Sequence, residues 1–162
     1  MSTRTPRRSG AALAIAVLCI AAVAAALVSQ HVFDMQPCPW CVLQRLVFVV
    51  IGLIALLTWA WPTAWGTRIG GAAIGLFALG GIAAAMWQHF VAAASGSCNQ
   101  TLADRIVSGI GLDGWLPEIF AARANCADAA VDLWGLPYEF WSLALFVLIV
   151  LVATRMMLRP AR

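Results

Sequence analysis

Four apolar stretches, at about residues 11–29, 42–61, 69–90 and 140–158, limit what this chain can fold into. Each approaches the roughly 20 residues of helix needed to cross a hydrocarbon core about 30 Å thick. Only 10% of the 162 residues are charged and 63% are hydrophobic, whereas soluble domains carry about 25% charged residues. An ordinary soluble protein is excluded. The reading is an all-α membrane protein, a four-transmembrane-helix bundle in one domain over 1–162, with outer loops at about 30–41 and 91–139. The first stretch follows Arg4, Arg7 and Arg8 as a signal peptide would, but its apolar run exceeds the 7–15 residues of such a segment. It is expected to be a retained span.

Charge sets the orientation. With four spans, both termini and the turn 62–68 share one side, which holds Arg4, Arg7, Arg8, Arg68, Arg155, Arg159 and Arg162 and no acid. All seven acids fall on the other side: Asp34, Asp104, Asp113, Glu118, Asp128, Asp132 and Glu139. Positive residues stay inside, so both termini are expected in the cytoplasm and both longer loops outside. The net charge of +3 is therefore a topology signal and not a nucleic-acid footprint. Tryptophans mark the same boundaries, with Trp40, Trp87, Trp134 and Trp141 at outer ends and Trp59, Trp61 and Trp65 at the inner end. The third span carries Gly71 and Gly75, a small-xxx-small step that lets helices approach closely. In the long loop, Leu102, Ile106 and Ile110 recur at helical spacing, and Trp115, Leu116, Ile119 and Phe120 follow. They predict one or two short amphipathic helices lying on the membrane surface.

Chemistry is concentrated in sulfur. Cys38-Pro39-Trp40-Cys41 stands at the mouth of the second span, and Cys98 and Cys126 lie in the long outer loop. Cys19 is alone in the middle of the first span and reads as a small buried hydrophobe. The four outer cysteines allow three pairings; Cys38 and Cys41 are near enough to pair, leaving Cys98 with Cys126. A bridge over two intervening residues adds little stability, which favours a redox role over a structural one. Pro39 suits a first helical position, making Cys38 the cap and Cys41 a first-turn residue facing the positive end of the helix dipole. Arg45, four residues on, can reach back to the Cys41 sulfur. A zinc site would want a second Cys-x-x-Cys or a His pair, which the spacing lacks. Of the two histidines, His31 reads as an interfacial anchor. His89 ends the third span at the depth of Cys41 and Arg45 and can donate to a ligand carbonyl.

These residues resemble a family. Gln30-His31-Val32, Pro37-Cys38-x-x-Cys41 and Arg45, Gln88-His89, Cys98 and Cys126, Trp115-x-Pro117-x-Ile119-Phe120, and Gly135-Leu136 ahead of Trp141 are similar to the DsbB family of disulfide bond formation proteins. Gln44, where some members have glutamate, the Pro39-Trp40 pair and Tyr138 are departures. The resemblance implies a bacterial inner-membrane thiol:quinone oxidoreductase that reoxidises a periplasmic DsbA-like thiol oxidase and draws on the membrane quinone pool, ubiquinone or menaquinone. It implies that the partner thiolate attacks Cys98 in a Cys98–Cys126 disulfide, that Cys126 then attacks Cys38, and that Cys41 passes electrons to a quinone held by Arg45 and His89. Two alternatives differ in kind. A vitamin K epoxide reductase-like enzyme would carry its Cys-x-x-Cys late in the bundle, and a non-catalytic scaffold with structural disulfides would tolerate loss of Arg45.

Overall fold

A computed structural model describes residues 9–93, 101–129, 131–133 and 135–158. Cys98, Trp134 and the arginines at 4, 7, 8, 159 and 162 lie outside the described residues. Four long helices carry the fold: α1 (Gly10–Val32), α2 (Pro39–Ala60), α3 (Ala64–Trp87) and α7 (Tyr138–Leu158). A π-helical turn, Gln88–Ala92, extends α3. All four are long and apolar enough to cross a membrane. Helix α2 packs against both α1 and α3, and α7 packs mainly against α3, completing the bundle.

The helices begin earlier than hydropathy alone indicates because caps, not apolar residues, start them. Cys38 caps α2, its sulfur accepting from the Cys41 N–H at 3.3 Å, with Pro39 at the first helical position. Thr63 caps α3 by accepting from the Gly66 N–H at 2.9 Å. Between α1 and α2 the chain reverses through Asp34 in the left-handed region (φ 52°), a conformation that Asp tolerates better than most side chains.

The core lies between the long helices. Ile15, Ala16 and Cys19 of α1 meet Phe48, Ile51 and Ala55 of α2, Ile74 and Ala78 of α3, and Phe146 and Ile149 of α7. The Phe48 and Phe146 rings stack with centroids 4.2 Å apart. Cys19 is buried among these apolar neighbours, as its mid-span position suggested. Close helix approach depends less on Gly75 than on two other glycines. A Cβ on Gly81 would come within 2.5 Å of the Phe146 ring, and one on Gly70 would collide with Thr58, whereas one on Gly75 would sit at an ordinary 3.8 Å from Ala153. Gly71 does face α7 closely: a Cβ added there would lie 3.1 Å from the Ala153 carbonyl.

Three short helices rest on the outer end of the bundle: α4 (Leu102–Ile110), α5 (Leu112–Trp115) and α6 (Pro117–Phe120). A reciprocal cap between Thr101 and Asp104 starts α4, and Gly111 at φ 76° ends it. Helix α4 turns small residues inward. Ala103 packs in the cluster of Cys38, Trp40 and Leu43, while Val107 meets Val42 and Phe120. Leu102, Ile106, Ile110 and Trp115 stay exposed, as a face lying on lipid requires. Trp40 differs from the expected interfacial anchor: it is buried, 6.3 Å from the Trp87 ring. A two-stranded hairpin, β1 (Asp132–Leu133) and β2 (Leu136–Pro137), leads into α7 and has no counterpart in the sequence reading. Gly135 (φ 78°) supplies its turn.

Gly81→Val drives methyl groups into the Phe146 ring and is expected to cost about 1–3 kcal/mol. In thermal unfolding in detergent it should lower the midpoint, while Gly80→Ala, with nothing within 4 Å of the added carbon, should not.

Candidate active site

At the outer end of the bundle, three sulfurs converge. Cys38 is fully buried, its sulfur 2.8 Å from that of Cys41, and it packs with Cys126 in one buried cluster. The loop carrying Cys126 is fastened there by backbone bonds: the Arg123 and Ala124 N–H groups both donate to the Pro37 carbonyl, at 3.0 and 3.3 Å. Cys38 therefore stands between the two outer loops and can exchange partners without large movement. As donor to Cys126 and then to Cys41, and by burial, Cys38 is held protonated far above the usual thiol range. Cys126 is shifted the other way. The Cys38 hydrogen bond, helped by the Trp40 N–H, outweighs burial and holds Cys126 below its ordinary value. Both shifts belong to the reduced thiols; what serves exchange is proximity, since Cys38 and Cys126 pack in one cluster beside Cys41.

Arg45 does not snorkel to the surface. It is 6% exposed, and its guanidinium donates to Gln30 Oε1 (2.6 Å), the Ile119 carbonyl (3.1 Å) and the Ala26 carbonyl (3.2 Å). Gln30 in turn donates to the Glu118 carbonyl at 3.2 Å. These acceptors are neutral, and among the described residues no carboxylate lies within ion-pair distance of Arg45. Its charge is left for whatever enters the adjoining cavity.

That cavity, about 290 Å³, opens at the outer end of the bundle, and both Cys41 and Arg45 line it. Ala22, Ala25, Phe48 and Leu145 make its wall largely apolar, and Gln36, Gln44, Gln88, Glu139 and Ser142 add polar atoms. Gln36 Oε1 is buried there without a hydrogen-bond partner among the described residues. An apolar slot with one cationic donor, one orphaned acceptor and a sulfur suits a flat ring bearing oxygen at its edges.

The structure thus brings together Cys38, Cys41, Cys126 and Arg45 of the residues singled out from sequence; Cys98 lies outside the described residues. His89 is placed differently. Its Nδ1 lies 2.7 Å from Glu139 Oε1, its ring meets Phe90 and Phe140 edge-on, and it does not line the cavity. Successive residues of a helical turn leave it in different directions, so with Gln88 directed at Cys41, His89 turns aside to α7 and reaches the cavity only through Glu139. Sequence reasoning gave no role to Gln30, Gln44, Gln88, Glu139 or Ser142. Polar side chains within or beside apolar spans are costly, and that cost was the available signal. Cys38→Ala removes the donor to Cys126 and should move the Cys126 alkylation profile to higher pH. Cys38→Ser should keep part of the effect, and an unchanged profile for Cys38→Ala would contradict the coupling.

The family profile described as "Disulfide bond formation protein DsbB" matches residues 7–156. Disulfide bond formation protein B of Herminiimonas arsenicoxydans is 34% identical over 139 residues, covering 85% of this chain and 87% of that protein. The protein of the same name from Ralstonia nicotianae is 33% identical over 152 residues, covering 93% and 94%. Disulfide bond formation protein B 1 of Pseudomonas syringae pv. syringae is 32% identical over 151 residues, covering 91% and 88%. With four membrane-spanning helices and thiols gathered at one end of the bundle, this chain belongs to the DsbB family of disulfide bond formation proteins.

Proposed function

We propose that this chain is a thiol:quinone oxidoreductase of the bacterial inner membrane that reoxidises a periplasmic DsbA-like dithiol oxidase. The observation that carries the reading is the position of Cys38, in contact with Cys126 on one side and with the cavity-lining Cys41 on the other. Both termini are cytoplasmic and the outer loops periplasmic, in keeping with the segregation of the acids.

The thiol chemistry balances as a series of exchanges. The partner's thiolate attacks Cys98 of a Cys98–Cys126 disulfide, forming a mixed disulfide and releasing Cys126 as thiolate. Cys126 attacks Cys38 of a Cys38–Cys41 disulfide, and Cys41 leaves as thiolate beside Arg45 and the Gln88 amide. The partner's second thiol displaces Cys98 and departs oxidised. Cys98 then recloses on Cys126 and frees Cys38. Closure of Cys38 on Cys41 gives up two electrons, which a quinone bound in the cavity would accept together with two protons. Arg45 would hold the ring's oxygen there, the orphaned Gln36 Oε1 would accept from a hydroxyl once the ring is reduced, and His89 would act through Glu139. The apolar wall keeps water from the sulfur.

Purified protein supplied with a reduced DsbA-like partner should reduce ubiquinone-1 in steady state. Arg45→Met should insert and form its disulfides yet lose about tenfold or more in kcat/KM for the quinone, with Arg45→Lys rescuing part, because a point charge cannot match the planar fork of donors. Unchanged turnover in Arg45→Met would reduce Arg45 to a brace between helices. A membrane-impermeant maleimide should label Cys98 of reduced protein from the periplasmic side of spheroplasts, and labelling only from the cytoplasmic side would reverse the topology.

A further inference from the structure

A chain of hydrogen bonds runs from α7 to the Cys41 sulfur. Ser142 Oγ donates to Gln44 Oε1, Gln44 Nε2 donates to Gln88 Oε1 at 2.7 Å, and Gln88 Nε2 donates to Cys41 Sγ at 3.3 Å. Gln44 and Gln88 are both buried, so neither amide has water as an easy substitute. Running in this direction, the chain delivers an N–H to sulfur. That suits a thiolate, which can only accept.

An amide also has an acceptor end, and the chain is complete when reversed. With both amides turned over, the Cys41 S–H donates to Gln88 Oε1, Gln88 Nε2 donates to Gln44 Oε1, and Gln44 Nε2 donates to Ser142 Oγ. The Ser142 hydrogen then goes to the Glu139 carbonyl, which lies 2.9 Å away. Every group remains paired in both directions, so the chain can follow the charge on the sulfur without orphaning a buried polar atom. An ionised carboxylate at either position could not, because it only accepts.

We infer that Gln88 is a catalytic residue of the relay, donating its amide N–H to the Cys41 thiolate, and that Gln44 and Ser142 are positioning residues that set which end of that amide faces the sulfur. This rests on the reading of Cys41 as the sulfur that ends the relay as a thiolate. It adds to Arg45 a second stabiliser that is neutral and reversible, matched to a sulfur that passes between thiolate and thiol.

The test is the alkylation rate of each cysteine in the full-length, reduced protein in detergent at pH 7, resolved by peptide mass spectrometry with iodoacetamide as the probe. Gln88→Met, of similar shape but without a donor, should slow Cys41 about tenfold and leave Cys126 unchanged. Gln88→Glu should slow Cys41 further, since it presents a like charge. A packing role would rank the two the other way, because Glu is the closer match to Gln in shape. Ser142→Ala, a mild change that should not disturb insertion, should slow Cys41 two- to threefold and decides the matter if neither Gln88 variant inserts. Cys41 rates equal within experimental scatter in the variants that insert, or a ranking with Glu above Met, would overturn the inference. Ubiquinone-1 turnover in the parent protein is a separate reading: its absence alongside the ranked rates would count against the proposed electron acceptor and not against Gln88.

Discussion

A guanidinium held by three neutral acceptors organises the outer half of this molecule. Arg45 draws on a side chain and a carbonyl of α1 and a carbonyl of α6, so one residue of α2 fastens two other elements to it. Removing a cation from water costs several kcal/mol, and hydrogen bonds to carbonyl and amide oxygens offset that cost without neutralising the charge. The remaining field points into a cavity with largely apolar walls, where it acts at low dielectric. A carboxylate partner would have quenched it. The same arrangement seats the loop helix α6 on α1 and α2, which brings the segment leading to Cys126 over the end of α2.

The second organising feature is the use of a cysteine as a helix cap. Capping fixes the Cys38 sulfur over the first turn of α2, and that is why it can meet Cys41 within its own helix and Cys126 from the loop. Pro39 fixes the entry angle, and the two donors to the Pro37 carbonyl hold the incoming loop at the same point. Structure that would elsewhere serve only to start a helix here also sets the spacing of three sulfurs, the geometry that the proposed exchange uses. Membership of a disulfide-forming family is consistent with that economy.

Much of this was legible in the residues. Spans of twenty apolar residues have few alternatives in a membrane, so the bundle followed from hydropathy, and the Cys-Pro-x-Cys start of α2 followed from capping preferences. The recurrence of Leu102, Ile106 and Ile110 marks α4 as a helix, although those residues face outward and the smaller Ala103 and Val107 make the contacts. What could not be read is the outcome of rotation about a helix axis. Whether Gln88 or His89 faces Cys41 is decided by the register of α3 against α2 and α7, which close packing at Gly70 and Gly81 sets from a distance. Nor does spacing alone reveal that Trp40 turns inward, because the loop that buries it arrives more than sixty residues later in the chain.

The central claim is that Cys38 passes between Cys41 and Cys126, and its most direct test is a disulfide map of the trapped complex. A single-cysteine variant of the DsbA-like partner would be bonded covalently to Cys98, the free thiols alkylated, and the peptides identified by mass spectrometry. The geometry predicts a Cys38–Cys126 bond with Cys41 alkylated. An intact Cys38–Cys41 bond with Cys126 alkylated would contradict it.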